Sequence, residues 1–308
     1  MAALSYLLLA LGAAAYAVSA SLFFALLARK ETGRSLSRPD LTAAAATAAR
    51  GDASRPLGPT LLALGAVLHL GYICIASFLT HECPVGSVHF VLSFVAIIAI
   101  FTFTLARARA TRAGPRENID ALGLLVAPLG LAFLLGTYFL DKPAVGSSVG
   151  TFFLALHVLT NVVGIALFFL AGAAASLYLV QERRLKHKKL ARAFGLPPLD
   201  TLDRATHRFL AVGFPLLTVG ILSGTFWAYQ LESGSFDEVM RIVFGYATWL
   251  LIALVLLLRV AAGWRGKRSA YGTLLGLGFA VCVIIVYVLR PAATAPPVPA
   301  ATEPGARL

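Results

Sequence analysis

Apolar residues along this chain group into eight long runs, which shorter polar segments separate. The runs cover residues 4–28, 58–79, 90–106, 121–140, 149–180, 209–231, 239–258 and 271–289. An α-helix needs about 20 mostly apolar residues to cross a hydrocarbon core of about 30 Å. The pattern therefore predicts an all-α, polytopic integral membrane bundle of about eight transmembrane helices. The fifth run is long enough for its helix to continue beyond the bilayer.

Composition supports a single membrane domain. Hydrophobic residues make up 59% of the 308 residues and charged residues only 13%, whereas a soluble domain carries about 25% charged residues. The first run lacks the basic start of a signal peptide, so we expect it to be a retained span. Residues 1–290 are expected to form the transmembrane domain, and the Ala- and Pro-rich segment 291–308 a disordered tail on the outer side.

The Lys and Arg residues lie in alternate loops, and this indicates an orientation. Segments 29–57, 107–119, 182–208 and 259–269 hold 22 of the 26. Because basic loops stay in the cytoplasm, both termini are predicted to lie on the outer side. This arrangement accounts for the net charge of +12 without nucleic acid as a partner. A second role of segment 183–192 in binding anionic lipid stays open.

Motifs for several kinds of chemistry are absent from the sequence. It contains no CxxC pair, Walker loop, GxSxG elbow or HExxH helix, so a thiol-disulfide relay, ATP hydrolysis, esterase chemistry and zinc proteolysis lack support. Cys74 and Cys282 fall inside spans and are interpreted as small apolar residues. Cys83 follows the second span, in a predicted outer loop.

His69 and His157 are the histidines inside predicted spans, where ionisable side chains usually face the bundle interior. At 1.5 Å per residue, both lie about 12 to 15 Å below the outer ends of their spans. Two imidazoles at one depth on different helices could hold a haem iron axially. Alternatively, each donates to a nearby carbonyl, Ser, Thr or Asn, and Asn161 lies one turn from His157. Spacing leaves both interpretations open.

Two tryptophans and three glycines in the spans could line a haem site without ligating the iron. Trp227, near the outer end of the sixth span, is either an interfacial anchor or a wall of a porphyrin site. Trp249 is a deeper candidate for such a wall, and its indole N–H needs a partner. Gly213, Gly220 and Gly224 predict close packing against another helix, with approach of a ligand as the alternative.

Several segments in a fixed order resemble the cytochrome c assembly protein family, of the CcsA type, and its HemX-like relatives. They cover roughly residues 58–290. In chain order they are HECPV at 81–85 followed by His89 and LSF at 92–94, the helix with His157 that ends in LYLVQERR at 177–184, LDTLDR at 199–204, GFPLLT at 213–218, GILSGTFWA at 220–228, Trp249 and GWRG at 263–266.

The resemblance implies haem handling. Such proteins bind haem in the membrane and present it on the outer side for attachment to apocytochrome c. By position, His157 corresponds to the external haem ligand and His69 to a membrane-embedded one, which differs from one haem shared by both. The resemblance further implies haem b as the cofactor, other cytochrome c assembly or haem-synthesis proteins as partners, and a multi-pass protein of the bacterial inner membrane.

The sequence departs from the haem-presenting members in three ways. Their tryptophan-rich WGxxWxWDPxE segment is missing, because residues 230–238 contain no Trp. Leu257 and Leu258, rather than a histidine, precede Arg259, and no histidine follows His207. The chain is therefore more similar to the HemX-like branch, whose role is accessory rather than catalytic. A membrane regulator of a haem-biosynthesis enzyme without bound haem is the alternative, and a small-molecule transporter is a more distant one.

Overall fold

A computed structural model describes residues 2–32, 57–80, 88–113, 119–139, 151–187, 196–230 and 236–289. All regular structure in these ranges is helical. It comprises a 3-10 turn at Asp120–Leu122 and the long helices α1 (Ala2–Thr32), α2 (Leu57–Thr80), α3 (Val88–Ala113), α4 (Gly123–Phe139), α5 (Thr151–Lys186), α6 (Leu199–Gln230), α7 (Phe236–Ala261) and α8 (Lys267–Leu289). The described residues thus include eight helices long and apolar enough to cross a membrane, which confirms the predicted fold class.

Two helices extend into the segment predicted as a basic loop at 182–208. α5 has 36 residues and ends at Lys186, so at 1.5 Å per residue it spans about 54 Å, more than the hydrocarbon core. α6 begins at Leu199, ten residues before the apolar run that predicted it. Its first turns are amphipathic, since Leu202, Thr206 and Leu210 are buried at intervals of four residues and Arg208 is exposed.

The helices pack as two groups that meet at α5. α1 packs on α2 and α4, and α3 packs on α2 and α4, which makes the first four helices one group. In the second group α6 and α8 pack on α5, while α7 packs on α6 and α8. The contact between α3 and α5 joins the groups. α5 is the central helix, because 72% of its span is buried against 17% for α7.

The outer surface of the bundle is apolar. Large side chains such as Phe24, Phe101, Leu222 and Leu257 are more than half exposed. Exposed apolar surface on this scale indicates contact with a membrane. The sides on which the termini lie stay a prediction. Cys83 and the tail 291–308 lie outside the described residues.

Candidate functional site

His157 lies on α5 with its imidazole ring against α6. Its Nδ1 atom is 2.9 Å from the carbonyl oxygen of Gly220 and 3.2 Å from the hydroxyl of Ser223. On its own helix, the amide of Asn161 donates to the carbonyl oxygen of His157 at 2.8 Å and lies 3.5 Å from Nε2. The contact with Asn161 that the sequence offered as an alternative is confirmed, with the amide rather than the imidazole as donor, and the two partners on α6 are additional.

Two glycines of α6 allow the imidazole to come this close. A Cβ atom on Gly220 would lie 2.6 Å from the side-chain amide of Asn161, and one on Gly224 would lie 2.6 Å from Cε1 of His157. Because packed interiors do not accommodate contacts this short, a larger residue at either position would displace the neighbouring side chain. Gly213, two turns earlier, similarly faces Leu167 and Phe168 of α5 at 3.1 Å. The predicted packing role of all three glycines is confirmed.

The bond to Gly220 determines the chemistry of the imidazole. A carbonyl oxygen can only accept, so Nδ1 carries the hydrogen and Nε2 carries the lone pair. The amide nitrogen of Asn161 lies 3.2 Å from Nδ1 and 3.5 Å from Nε2, so it does not select between the tautomers, and the Gly220 carbonyl does. Histidines that ligate a metal commonly donate their other N–H to a backbone carbonyl in this way. His157 is therefore held in a tautomer that suits an iron ligand.

His69 lies on α2, fully buried, with its ring against Tyr16 of α1. The tyrosine hydroxyl is 3.3 Å from Nδ1, and the two rings meet edge to face with centroids 5.9 Å apart. Within the described part of the chain, the buried Nε2 atom of His69 has no hydrogen-bond partner. Such a group costs about 1–3 kcal/mol, which a ligand at Nε2 would offset. Sequence reasoning missed Tyr16, although a tyrosine in the middle of an apolar run is a visible signal.

Trp249 of α7 lies against the side of α6. Its indole N–H donates to the hydroxyl of Thr218 at 2.9 Å, and its ring stacks on Phe214 with centroids 5.6 Å apart. The prediction that this N–H needs a partner is confirmed. Thr218 precedes Gly220 by two residues, so Trp249 and His157 contact α6 at levels about 3 Å apart along its axis. Trp227 lies in the last turn of α6, and its side chain is outside the described part.

A second polar cluster lies near the start of α6, and sequence reasoning did not find it. The carboxylate of Asp203 accepts hydrogen bonds from the Arg259 guanidinium at 2.6 and 3.1 Å and from the Gly266 N–H at 2.9 Å. The two paired side chains are only 12% and 10% exposed. The cluster ties α6 to the end of α7 and to the turn before α8. The sequence did place the Asp203 carboxylate and the Arg259 guanidinium near the same predicted face of the membrane, and this could have indicated an ion pair.

The predicted site residues fall in two places. His157 and Trp249 lie on either side of α6, whereas His69 packs between α2 and α1. The contacts of the described residues do not join His69 to His157, and a haem shared by both stays a prediction. Those same residues also contain no group of three His, Cys, Asp or Glu side chains placed to hold a metal ion. What they provide is single imidazoles of the kind that bind haem iron axially.

Comparison with known proteins decides the family. The model of the family described as Cytochrome C assembly protein matches residues 57–293, well over half of the chain. The chain belongs to the cytochrome c assembly protein family. The match runs from α2 through α8 and includes His69, His157, Trp249 and the Asp203 cluster. The resemblance found in the sequence is thereby confirmed at the level of the family.

Three relatives in this family are each named Cytochrome c biogenesis protein CcsA. The protein from Guillardia theta is 29% identical over 54% of this chain and 62% of its own length. That from Chlamydomonas reinhardtii is 30% identical over 48% of this chain and 43% of its own. The protein from Synechococcus elongatus is 36% identical over 29% of this chain and 28% of its own length. The chain thus spans less than two thirds of the curated relatives it matches, and no solved structure matches it.

Proposed function

We propose that this protein handles haem in the membrane during the assembly of c-type cytochromes, as an accessory and non-catalytic component. The observation that carries the proposal is the imidazole of His157, seated against two glycines of α6 with Nδ1 bonded to the Gly220 carbonyl. Family membership supports haem as the ligand, because the relatives are named for cytochrome c biogenesis.

The described residues fit a haem in their donor chemistry. His157 would ligate through Nε2, and Gly220 would keep its ring in one tautomer and orientation. His69 would ligate through the buried Nε2 that has no partner within the described residues. Trp249, whose indole is held by Thr218 and Phe214, would supply an aromatic wall on its own side of α6. Trp227 as a second wall stays a proposal from the sequence. A bound haem would supply an iron atom that takes an imidazole nitrogen as a ligand, and it would be the group that the protein passes on.

The finer features of the proposal rest on the sequence. We propose haem b as the cofactor and the bacterial inner membrane as the location, with both termini on the outer side. Other cytochrome c assembly or haem-synthesis proteins are the proposed partners. The missing tryptophan-rich segment supports placement in the HemX-like branch.

The visible spectrum of the purified protein tests haem binding. The full chain in detergent, supplied with haem, is expected to show a Soret band. The pyridine haemochrome assay measures how many haems each chain binds. His157→Ala is expected to lower haem affinity at least tenfold because the iron would lose its imidazole ligand. His69→Ala is expected to reduce haem content separately, without abolishing the signal that depends on His157.

His187→Ala is the matched control. This histidine is exposed at the end of α5 and therefore should leave the spectrum unchanged. Helix content by circular dichroism and elution from size-exclusion chromatography show whether each variant folds. Absence of a Soret band in the folded wild-type protein would refute haem binding. Equal haem content in both alanine variants and the wild type would refute the ligand assignment.

The regulatory alternative predicts a different phenotype. A regulator of a haem-biosynthesis enzyme would change the level of haem precursors when its gene is deleted and leave covalent cytochrome c normal. A haem-handling protein would lower covalent cytochrome c instead. Measuring both quantities in the deletion strain discriminates between the two functions.

A further inference from the structure

A cleft of about 520 Å³ lies between α3 and α6, near the start of α6. Residues of α3 from 102 to 110 form one wall, and residues of α6 from 201 to 212 form the other. Leu167 of the central helix α5 lies between them. The volume falls within the range of about 300–1,000 Å³ that is usual for small-molecule sites. The arginine end of the cleft is far from His157, since Arg208 precedes Gly220 by twelve residues, or about 18 Å of helix.

One part of the cleft is lined by arginines from both walls. Arg109 lies near the end of α3, and Arg204 and Arg208 lie one turn apart near the start of α6. Arg204 is held by an ion pair with Asp200 on the preceding turn. Arg109 and Arg208 are exposed. Neighbouring Arg107 is paired with Asp120 at 2.5 Å, so the described side chains leave a net positive charge at the cleft.

The other part of the cleft is apolar and opens to the side of the bundle. Leu167 and Phe209 are buried there, whereas Leu105 and Val212 are 42% and 59% exposed. Leu105 and Val212 each lie one turn from an arginine, on the side toward the middle of the helix. Because the arginines are at the helix ends, the cleft is charged at the level of the lipid headgroups and apolar at the level of the acyl chains.

We propose that this cleft is a binding site for an anionic phospholipid. The arginines bind the phosphate, and the first carbons of an acyl chain lie against Leu105, Phe209 and Val212. Basic pockets between transmembrane helices bind acidic headgroups by this division of charge. The lateral opening allows the ligand to enter from the surrounding bilayer. The site is independent of His69 and His157 and does not depend on haem handling.

Lipid retention by the purified full chain tests the site. Native mass spectrometry in detergent measures binding of phosphatidylglycerol and of phosphatidylcholine with the same acyl chains. The wild type is expected to prefer phosphatidylglycerol. The double variant Arg109→Gln with Arg208→Gln is expected to bind it at least tenfold more weakly. The matched control, Arg265→Gln with Arg268→Gln, removes two exposed arginines that do not line the cleft and is expected to behave as the wild type.

Soluble and porphyrin competitors identify the ligand class. Inorganic phosphate and glycerol 3-phosphate, in hundredfold excess, are expected not to displace phosphatidylglycerol, because they lack an apolar part. Displacement by either would make this a site for soluble anions and overturn the proposal. Stoichiometric displacement of phosphatidylglycerol by haemin would also overturn it, if the control variant shows this displacement and the cleft variant does not. Equal binding of phosphatidylglycerol by both double variants, or no preference over phosphatidylcholine, also overturns it.

Discussion

At the scale of residues, the backbone of α6 decides where the side chains of α5 can lie. Asn161 and His157 occupy the space that side chains at Gly220 and Gly224 would otherwise fill. The histidine then bonds to the Gly220 carbonyl, which lies 2.9 Å from Nδ1. A polar side chain in an apolar helix thus obtains its partner from the adjacent backbone.

Gly224→Ala tests this arrangement, with Gly245→Ala as the control. The new methyl group would lie 2.6 Å from Cε1 of His157, whereas no neighbouring atom of the described residues lies within 4 Å of the corresponding point at Gly245. We expect Gly224→Ala to destabilise the protein by about 1–3 kcal/mol through overpacking and to weaken haem binding. Gly245→Ala should be neutral or stabilising by up to about 1 kcal/mol. Thermal unfolding in detergent measures the stability, and the Soret band measures haem binding. Equal stability and equal haem binding of the two variants would contradict the close packing of His157 against Gly224.

At the scale of elements, α5 organises the bundle and the Asp203 cluster holds its ends together. A helix that is apolar on all sides is expected to be buried, and α5 packs on α3, α6 and α8. α7 is more peripheral, yet Arg259 at its end reaches the carboxylate of Asp203 at the start of α6. The N–H of Gly266 donates to the same carboxylate, so the turn between α7 and α8 is held with them.

Asp203→Asn tests the cluster, and Asp200→Asn removes the same charge from the same turn of α6. Losing one partner of a largely buried pair leaves Arg259 uncompensated, at a cost of about 3 kcal/mol. Asp200 pairs with Arg204 and is 73% exposed, so its replacement should cost no more than about 0.5 kcal/mol. Thermal unfolding in detergent compares the two variants. Similar midpoints for both would show that the Asp203 cluster contributes little.

At the scale of the whole molecule, each of the two groups of four helices contains one of the candidate histidines. His69 belongs to the group of α1 to α4, and His157 and Trp249 belong to the group of α5 to α8. α3 connects the groups by packing on α5. The basic segments all follow odd-numbered helices, which supports one orientation of the whole bundle.

Thiol labelling in intact cells tests that orientation. In a Cys74→Ala, Cys282→Ala background, a membrane-impermeant maleimide should label Cys83 after reduction, because the loop after α2 is predicted to lie outside. In the same background with Cys83→Ala, a cysteine introduced by Ser35→Cys should be labelled only after lysis, since segment 29–57 is predicted to be cytoplasmic. The reverse pattern would place the termini inside.

The sequence alone was sufficient for the helices, their approximate bounds and the family. Apolar runs of about 20 residues must form helices in a bilayer, because backbone groups there find no water to bond. The same reasoning identified His69 and His157 as exceptional, since ionisable groups in such runs are rare. It also found Asn161, one turn from His157 on α5, and the three glycines of α6, because spacing along each helix shows which residues share a face.

Only the tertiary structure decided which side chains meet. Hydropathy does not specify how each helix is rotated about its axis or which helices are neighbours. The pairings of His69 with Tyr16, His157 with Gly220, Trp249 with Thr218 and Asp203 with Arg259 therefore could not be derived from it. The amphipathic start of α6 was missed for a related reason: its polar residues resemble a loop until the buried face is known. These four contacts depend on packing, because in each of them the donor and the acceptor lie on different helices.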